Sequence, residues 1–344
     1  MERKLATIQV VKEVNPIPDA DKIEVVSVLG WKVVVRKGEF KPGDKCAYFE
    51  IDSVIPRASW NDFLFKHPED TKFRLKTVRL RKQLSQGLVV PLSAFVGTPI
   101  ADWSILVEGH DITEALGIVK YEKPVPANMA GLVKGGFPSY LHKTDEPMMQ
   151  SILPVINEIA GKEVYITVKC DGTSGTFARF NDEIDVCSRN LSLKEQEGNV
   201  FWQMFRKYKM QEVFSAAGNF AIQGEVCGPG IQKNRLGLKE HELFVFNVYD
   251  IKAGTYLNFA DFKGFCDVYK LQTVPILQVC QFVFCVEDLL KMAKGKYATG
   301  KNREGIVIRP TVEAYSPTID AKYGMAGRMS FKVLNNDYLE KDEE

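Results

Sequence analysis

The stretch EVYITVKCDGTSGTF, residues 163–177, decides how this chain is read. Its first seven residues, EVYITVK, are rich in β-branched and aromatic side chains and predict a strand. Asp171 and Gly172 then give a turn signal, so Lys169 falls at a strand end with a carboxylate two residues on. A solvated lysine leaving a strand explains this as well as a nucleophile does. Composition alone would place Lys-x-Asp-Gly in roughly one chain in ten of this length. The choice between the two therefore rests on the residues further along the chain.

Downstream, in order, come CSRN (187–190), IQGEVCG (222–228), LFVFNVYD (243–250), REGIVIRP (303–310) and SFKVLN (330–335). Most put a charged residue on or beside a predicted strand. Each has an ordinary explanation by itself. Arg189 fits a surface turn, Glu225 an edge charge or a buried acid paired with arginine, and Phe244 and Phe246 fit a core. Glu304 fits a turn cap beside Gly305, and Lys332 a solvated lysine. The ordered set is harder to explain that way.

The set resembles the covalent nucleotidyltransferase superfamily, which contains polynucleotide ligases and mRNA capping enzymes, over roughly residues 165–335. KCDG matches its motif I, SRN motif Ia, GEV motif III, FVFNVYD motif IIIa, EGIVI motif IV and SFKV motif V. The resemblance implies that Lys169 attacks the α-phosphate of ATP and carries AMP. Lys332 would then neutralise that phosphate, and Arg189 would bind ribose or phosphate. Glu225 would read the ribose, and a motif IIIa aromatic, Phe246 in preference to Phe244, would stack on adenine. Thr167 and the backbone near Val168 would contact the base. The attacking lysine must be neutral, although its unperturbed pKa is about 10.4. A nearby divalent cation and desolvation both lower it. Asp171, Glu225 and Glu304 are the carboxylates available to hold Mg2+ or Mn2+, hard cations that take oxygen donors and retain water.

Two departures from the superfamily pattern matter. DNA ligases usually carry arginine two residues after the motif I glycine, where this chain has Ser174. In motif V, Ser330 stands where many members have the first of two lysines, and Lys322 or Arg328 is the expected substitute.

The bulk numbers bound the rest. A length of 344 residues suits two domains. With 45% hydrophobic and 26% charged residues, the composition is that of a soluble protein. No run of 18 apolar residues and no secretory leader is present, so no membrane partner is expected. The seven cysteines form no CxxC, and with four isolated histidines they lack zinc spacing. Free thiols in a reducing intracellular compartment are the expectation.

The N-terminal third reads as strands at ATIQVVKEV, IEVVSVL, WKVVVRKG and KCAYFEI, with turns at NPIPDAD, LG and KPGD. This predicts a small OB-like barrel. The run 72–90 alternates Lys72, Arg74 and Lys76 on one strand face, and Arg79, Arg81 and Lys82 extend the basic patch. That patch reads either as a protected edge or as a surface contacting RNA or pyrophosphate.

The expected organisation is α+β: an OB-like domain over 1–118, a linker over 119–137, and an adenylyltransferase domain over 138–344 with antiparallel sheets and flanking helices, an ATP-grasp-like ligase fold. A helix is expected over TDEPMMQSILPVINEIAG, kinked at Pro154. Further helices are expected over LKEQEGNVFWQMFRKY, FADFKGFCDVYKL and VEDLLKMAKG.

DNA ligases and capping enzymes generally carry an OB domain after motif V, whereas here 12 residues follow Lys332. An OB-like module before motif I, with FPSYLHKTDEP between, resembles the ATP-dependent RNA ligases of the Deinococcus and Naegleria type. Sealing of nicks in duplexes by a monomer is what that likeness implies. An RNA guanylyltransferase and a non-catalytic RNA-binding protein are the alternatives.

Overall fold

The computed structural model describes residues 4–95, 97–98, 100, 102–103, 105–121 and 131–339. Two antiparallel sheets build the larger, C-terminal part. One has four strands in the order Ile276–Gln281, Glu163–Lys169, Gly305–Pro310, Phe331–Leu334. The other has seven, in the order Val133–Gly136, Leu191–Leu193, Glu183–Cys187, Thr173–Phe180, Phe220–Cys227, Glu242–Asp250, Thr255–Tyr256. Residues 170–172 carry the chain from the first sheet directly into the second.

Alternation along the strands separates the faces. Val164, Ile166, Ile306, Ile308, Phe331 and Val333 bury one face of the four-stranded sheet against the helices Val155–Ile159, Val286–Ala293 and Pro317–Tyr323. Phe177, Ile222, Val226 and Val245 bury one face of the seven-stranded sheet against Val200–Lys207, Met210–Ala217 and Phe259–Val268. The two remaining faces meet across a cleft. On one side stand Lys169, Thr167 and Arg309, and on the other Glu225 and Gln223, as the pairing registers require.

The N-terminal part is a five-stranded antiparallel sheet ordered Trp31–Arg36, Ile23–Val28, Ala6–Pro16, Lys45–Phe49, Leu88–Pro91. The long Ala6–Pro16 strand pairs with Lys45–Phe49 through its first half and with Ile23–Val28 through its second, with a register shift between Val11 and Glu13. That bulge bends the strand, so one segment serves two directions of the curled sheet. The expected α+β class with a β-rich N-terminal OB-like module is therefore observed.

Local readings fare unevenly. The basic run is not one strand. It breaks after Lys72–Arg74 and continues as a hairpin of Thr77–Leu80 and Gln83–Gln86. Arg81 and Lys82 form its two-residue turn with φ of 48° and 68°. Such turns need left-handed residues because their twist matches that of the strands.

Two ends of the stretch expected as a linker are strands: Val119–Lys120 pairs with Val54 and Ser53, and Val133–Gly136 with Leu191–Leu193. Residues 122–130 of that stretch lie outside the described residues. The helix expected to begin at Thr144 is only Val155–Ile159, preceded by a 3-10 turn at Met149–Ser151. Pro147 disfavours a helical Glu146. The acids that resemble helix-start signals are committed to cations instead, Asp145 to Arg189 and Lys120, and Glu146 to Arg309.

The two parts are bound by a buried ion pair. Lys322 Nζ lies 2.7 Å from Glu50 Oε1 and also donates to the Ser151 carbonyl at 3.2 Å. Beside it, Gly30 N–H donates to Gln150 O at 3.0 Å, and a Cβ on Gly30 would meet Gln150 Cα at 2.9 Å. Glycine is there because two backbones touch. Lys322→Met removes the ion pair from the buried Glu50 carboxylate and should cost about 3 kcal/mol in urea unfolding. Adding Glu50→Gln to it should recover part of the loss, and a neutral single variant would contradict the assignment.

Candidate active site

Lys169 ends its strand, paired with Gly305, and its ammonium lies 2.7 Å from Glu304 Oε1. Burial pulls the lysine pKa down, but Glu304 and then Glu225 outweigh it and the group is pushed up. In this state the amine is a held ammonium. Glu225 faces it from the seven-stranded sheet. Burial raises its carboxyl, Lys169 opposes, Glu304 and Asp171 reinforce, and it is pushed up to about 8.

The crossover after Lys169 is pinned by a residue that the motifs did not reveal. Tyr297 Oη donates to the Lys169 carbonyl at 3.0 Å and accepts from the Asp171 N–H at 3.1 Å. Asp171 is 4% exposed. Its carboxylate lies 3.1 Å from Arg235 Nε and accepts from Tyr338 Oη at 2.8 Å. Asp171 therefore has protein partners, which the reading as a metal ligand did not foresee. Arg235 and Tyr338 lie too far along the chain for any local pattern to connect them with it.

Gly172 is required for space. A Cβ there would meet Val226 O at 2.5 Å, Cys227 Sγ at 2.7 Å and Glu225 Cγ at 2.8 Å. The glycine thus lets the crossover lie against the strand that carries Glu225. Cys170 is a buried packing residue with Val168, Cys227, Phe244 and Val274.

A second charge cluster lies alongside. Asp145 is bonded to Arg189 and to Lys120. Burial alone would raise its pKa, but Lys332, Arg189 and Lys120 hold its carboxyl well below the usual carboxylate range. Lys332 lies across from Val307, and its N–H donates to the Pro147 carbonyl at 2.8 Å. The segment 142–147 thus runs through the cleft instead of starting a helix. The His142 carbonyl accepts from Gln223 Nε2 at 2.8 Å, Thr144 is bonded to Ser174, and Glu146 lies 2.6 Å from Arg309 Nη2.

The structure brings together Lys169, Glu225, Glu304, Arg189 and Lys332. Phe246 is half-buried at the cleft, while Phe244 is core, 5% exposed, which favours Phe246 as the stacking ring. Thr167 Oγ1 is buried within 3.5 Å of the Val307 carbonyl. The Val168 N–H is already spent on the Pro275 carbonyl at 2.9 Å, so it offers no donor to a base.

The two expected substitutes for the missing motif V lysine are engaged by other carboxylates here. Lys322 is held by Glu50. Arg328 is held by Glu313 at 2.7 and 2.8 Å and by Asn247 at 3.0 Å, and it stacks on Tyr256. Arg79, Arg81 and Lys82 stand on the exposed hairpin of the N-terminal part.

Among the described residues no group of three or more Asp, Glu, His or Cys side chains forms a ready metal cage. Glu225 and Glu304 nonetheless fit a hard divalent cation held partly through water. They are oxygen donors; burial first, and then repulsion from Glu304, keeps Glu225 high, and a cation would offset both.

The raised Glu225 has a thermodynamic consequence. Between pH 4.5 and about 8 the folded chain binds a proton that the unfolded chain gives up, so stability falls as pH rises through that window. Glu225→Gln should therefore gain melting temperature relative to wild type from pH 5 to 8.5. Parallel curves for the two proteins would contradict this.

The RNA ligase family matches residues 162–334, and an OB-fold domain family matches residues 5–92. No curated protein sequence matches the chain. Solved structures do. The Naegleria gruberi RNA ligase with PPi is 36% identical, covers 98% of this chain and 98% of its own, and superposes with a TM-score of 0.84. A glutamate-to-alanine variant of it with ATP and Mn gives 0.86 at 36% identity, over 99% and 100% of the two chains. A lysine-to-methionine variant with AMP and Mn gives 0.85 at 36% identity, over 98% of each. Among the described residues no helix is long and apolar enough to cross a membrane. The motifs placed around one cleft, the family match to their whole span and the near end-to-end likeness agree: this chain belongs to the RNA ligase family.

Proposed function

We propose that this ATP-dependent RNA ligase seals nicks in duplexes through a lysyl-AMP intermediate on Lys169. The observation that carries the reading is the position of Lys169. It stands at the end of a strand, 2.7 Å from Glu304 and facing Glu225, in a cleft that also holds Arg189 and Lys332. In the first step the Lys169 amine attacks the α-phosphorus of ATP. An N–P bond forms and the bond to pyrophosphate breaks. An RNA 5′-phosphate oxygen then attacks the phosphorus of the lysyl-AMP, the N–P bond breaks and Lys169 is freed, and a 3′-hydroxyl displaces AMP as the new phosphodiester forms.

The protein supplies position and charge. Lys332 and Arg189 are the cations for the α-phosphate, and Phe246 offers a ring to the base. Glu225 and Glu304 would hold Mg2+ or Mn2+, which stabilises charge on the reacting phosphate and offsets the carboxylates that keep Lys169 protonated. The likeness to structures holding ATP, AMP and Mn supports this choice of nucleotide and metal. The Arg79, Arg81 and Lys82 hairpin is a candidate contact for the phosphates of the duplex or for pyrophosphate. A-form shape and the 2′-hydroxyl beside the nick are features available for selection.

Incubation with α-labelled ATP and metal, followed by denaturing electrophoresis, should label the wild type and leave Lys169→Met unlabelled. Equal labelling of the variant would overturn the assignment. Among nicks with RNA or DNA on each side, the fastest sealing should require RNA at the 3′-hydroxyl. Changing Arg79, Arg81 and Lys82 together to Ala should weaken nick binding and flatten its salt dependence by roughly one unit of slope for each phosphate no longer neutralised. An unchanged slope would remove the hairpin from the interface.

A further inference from the structure

Arg309 stands out among the charged residues of the cleft. It is 2% exposed, on the same face of the four-stranded sheet as Lys169. Its Nε donates to Ser330 Oγ at 2.9 Å and its Nη2 to Glu146 Oε1 at 2.6 Å. Its Nη1 is buried and has no hydrogen-bond partner among the described residues. A buried guanidinium donor left unsatisfied is costly and calls for an explanation. Two of its three nitrogens are fixed by neighbours, so the third is aimed rather than free to swing. The guanidinium carbon lies 5.9 Å from the centre of the Phe246 ring, across the cleft.

Its position along the strand says which part of a ligand it meets. Gly305 is the partner of Lys169, Val307 of Lys332, and Arg309 of Tyr165. At about 3.3 Å per residue, Arg309 lies roughly 13 Å along the strand from the level of the nucleophile, and Lys332 only about half as far. A phosphate joined to Lys169 belongs at the level of Lys332. The group beyond it, past the ribose and beside Phe246, is the base.

We infer that Arg309, held by Glu146 and Ser330, is a specificity-determining residue whose Nη1 donates a hydrogen bond to a ring-nitrogen acceptor on the edge of adenine. This rests on the ligase reading of the site. It also gives Ser330 a role. A short hydroxyl at that position accepts from Arg309 and leaves room for it, where a lysine would bring a second positive charge against the guanidinium.

The test uses the full chain and lysyl-adenylate formation with ATP and with its 1-deaza, 3-deaza and 7-deaza analogues, each lacking one ring acceptor. One analogue should lose at least about 10-fold in kcat/KM with wild type, as expected for one hydrogen bond to a charged donor. With Arg309→Lys, which keeps the charge but loses the fork, ATP should fall to the level of that analogue, mainly through KM, and the penalty should disappear. Equal use of all three analogues by wild type would overturn the inference, with no variant needed. A penalty that persists undiminished in Arg309→Lys would overturn it too. If Arg309→Lys fails to fold, Ser330→Ala, which frees Nε and loosens the fork, should shrink the penalty, and an unchanged penalty there counts against the inference. Failure of wild type to form any adenylate would instead refute the ligase reading, so the two failures are distinguishable.

Discussion

The site depends on an excess of negative charge around one amine. Lys169 is placed between Glu304, just ahead of the strand next to its own, and Glu225, on the sheet across the cleft. The strand pairing fixes the first neighbour and the crossover at 170–172 fixes the second, because the chain passes from one sheet to the other within those residues. Tyr297 anchors the crossover, and the missing side chain of Gly172 lets it lie against Val226. Two carboxylates and one amine in so little space can be stable in only a few charge states. The resting one is an ammonium with a reluctant second acid. On the proposed reading, a cation arriving with the nucleotide changes that balance, and the resting protein keeps no reactive amine exposed.

The second cluster has the opposite character. One carboxylate, Asp145, gathers Lys332, Arg189 and Lys120, which come from the two sheets and from the strand that pairs with the N-terminal part. Asp145 and Glu146 are neighbours in sequence, yet they answer different cations on different strands. The segment that carries them is held open by those demands.

The gathering of Lys169, Glu225, Glu304, Arg189 and Lys332 in one cleft was legible because each sits in a short motif at a strand or its end, and strand register carries such residues toward it. The same logic shows why other residues were missed. Thr144, Asp145 and Glu146 present the composition of a helix start, and the competing pull of Arg189 and Arg309 is a tertiary fact that no local window contains. Arg235, Tyr297 and Tyr338 have no motif at all and meet the crossover through the fold alone. Lys322 was drawn toward the site by nearness in sequence, but a helix turn separates it from the Lys332 strand and delivers it to Glu50. The basic run was read as a single face because nothing in Arg81 and Lys82 announces a left-handed turn; glycine or asparagine would have.

The Lys322–Glu50 pair and the backbone contact of Gly30 with Gln150 also bear on how a substrate is received. A module tied on by a flexible tether could swing, clamp and release. Here, opening the joint would separate Lys322 from Glu50 and break a main-chain bond between the parts. The basic hairpin is therefore held at a set separation from Lys169, like the two jaws of a gauge. On the proposal that a nicked duplex lies on both, one that fits must already have the helical spacing that connects them. On that proposal the stiffness of the joint does the selecting, and the nucleic acid does any bending that is needed.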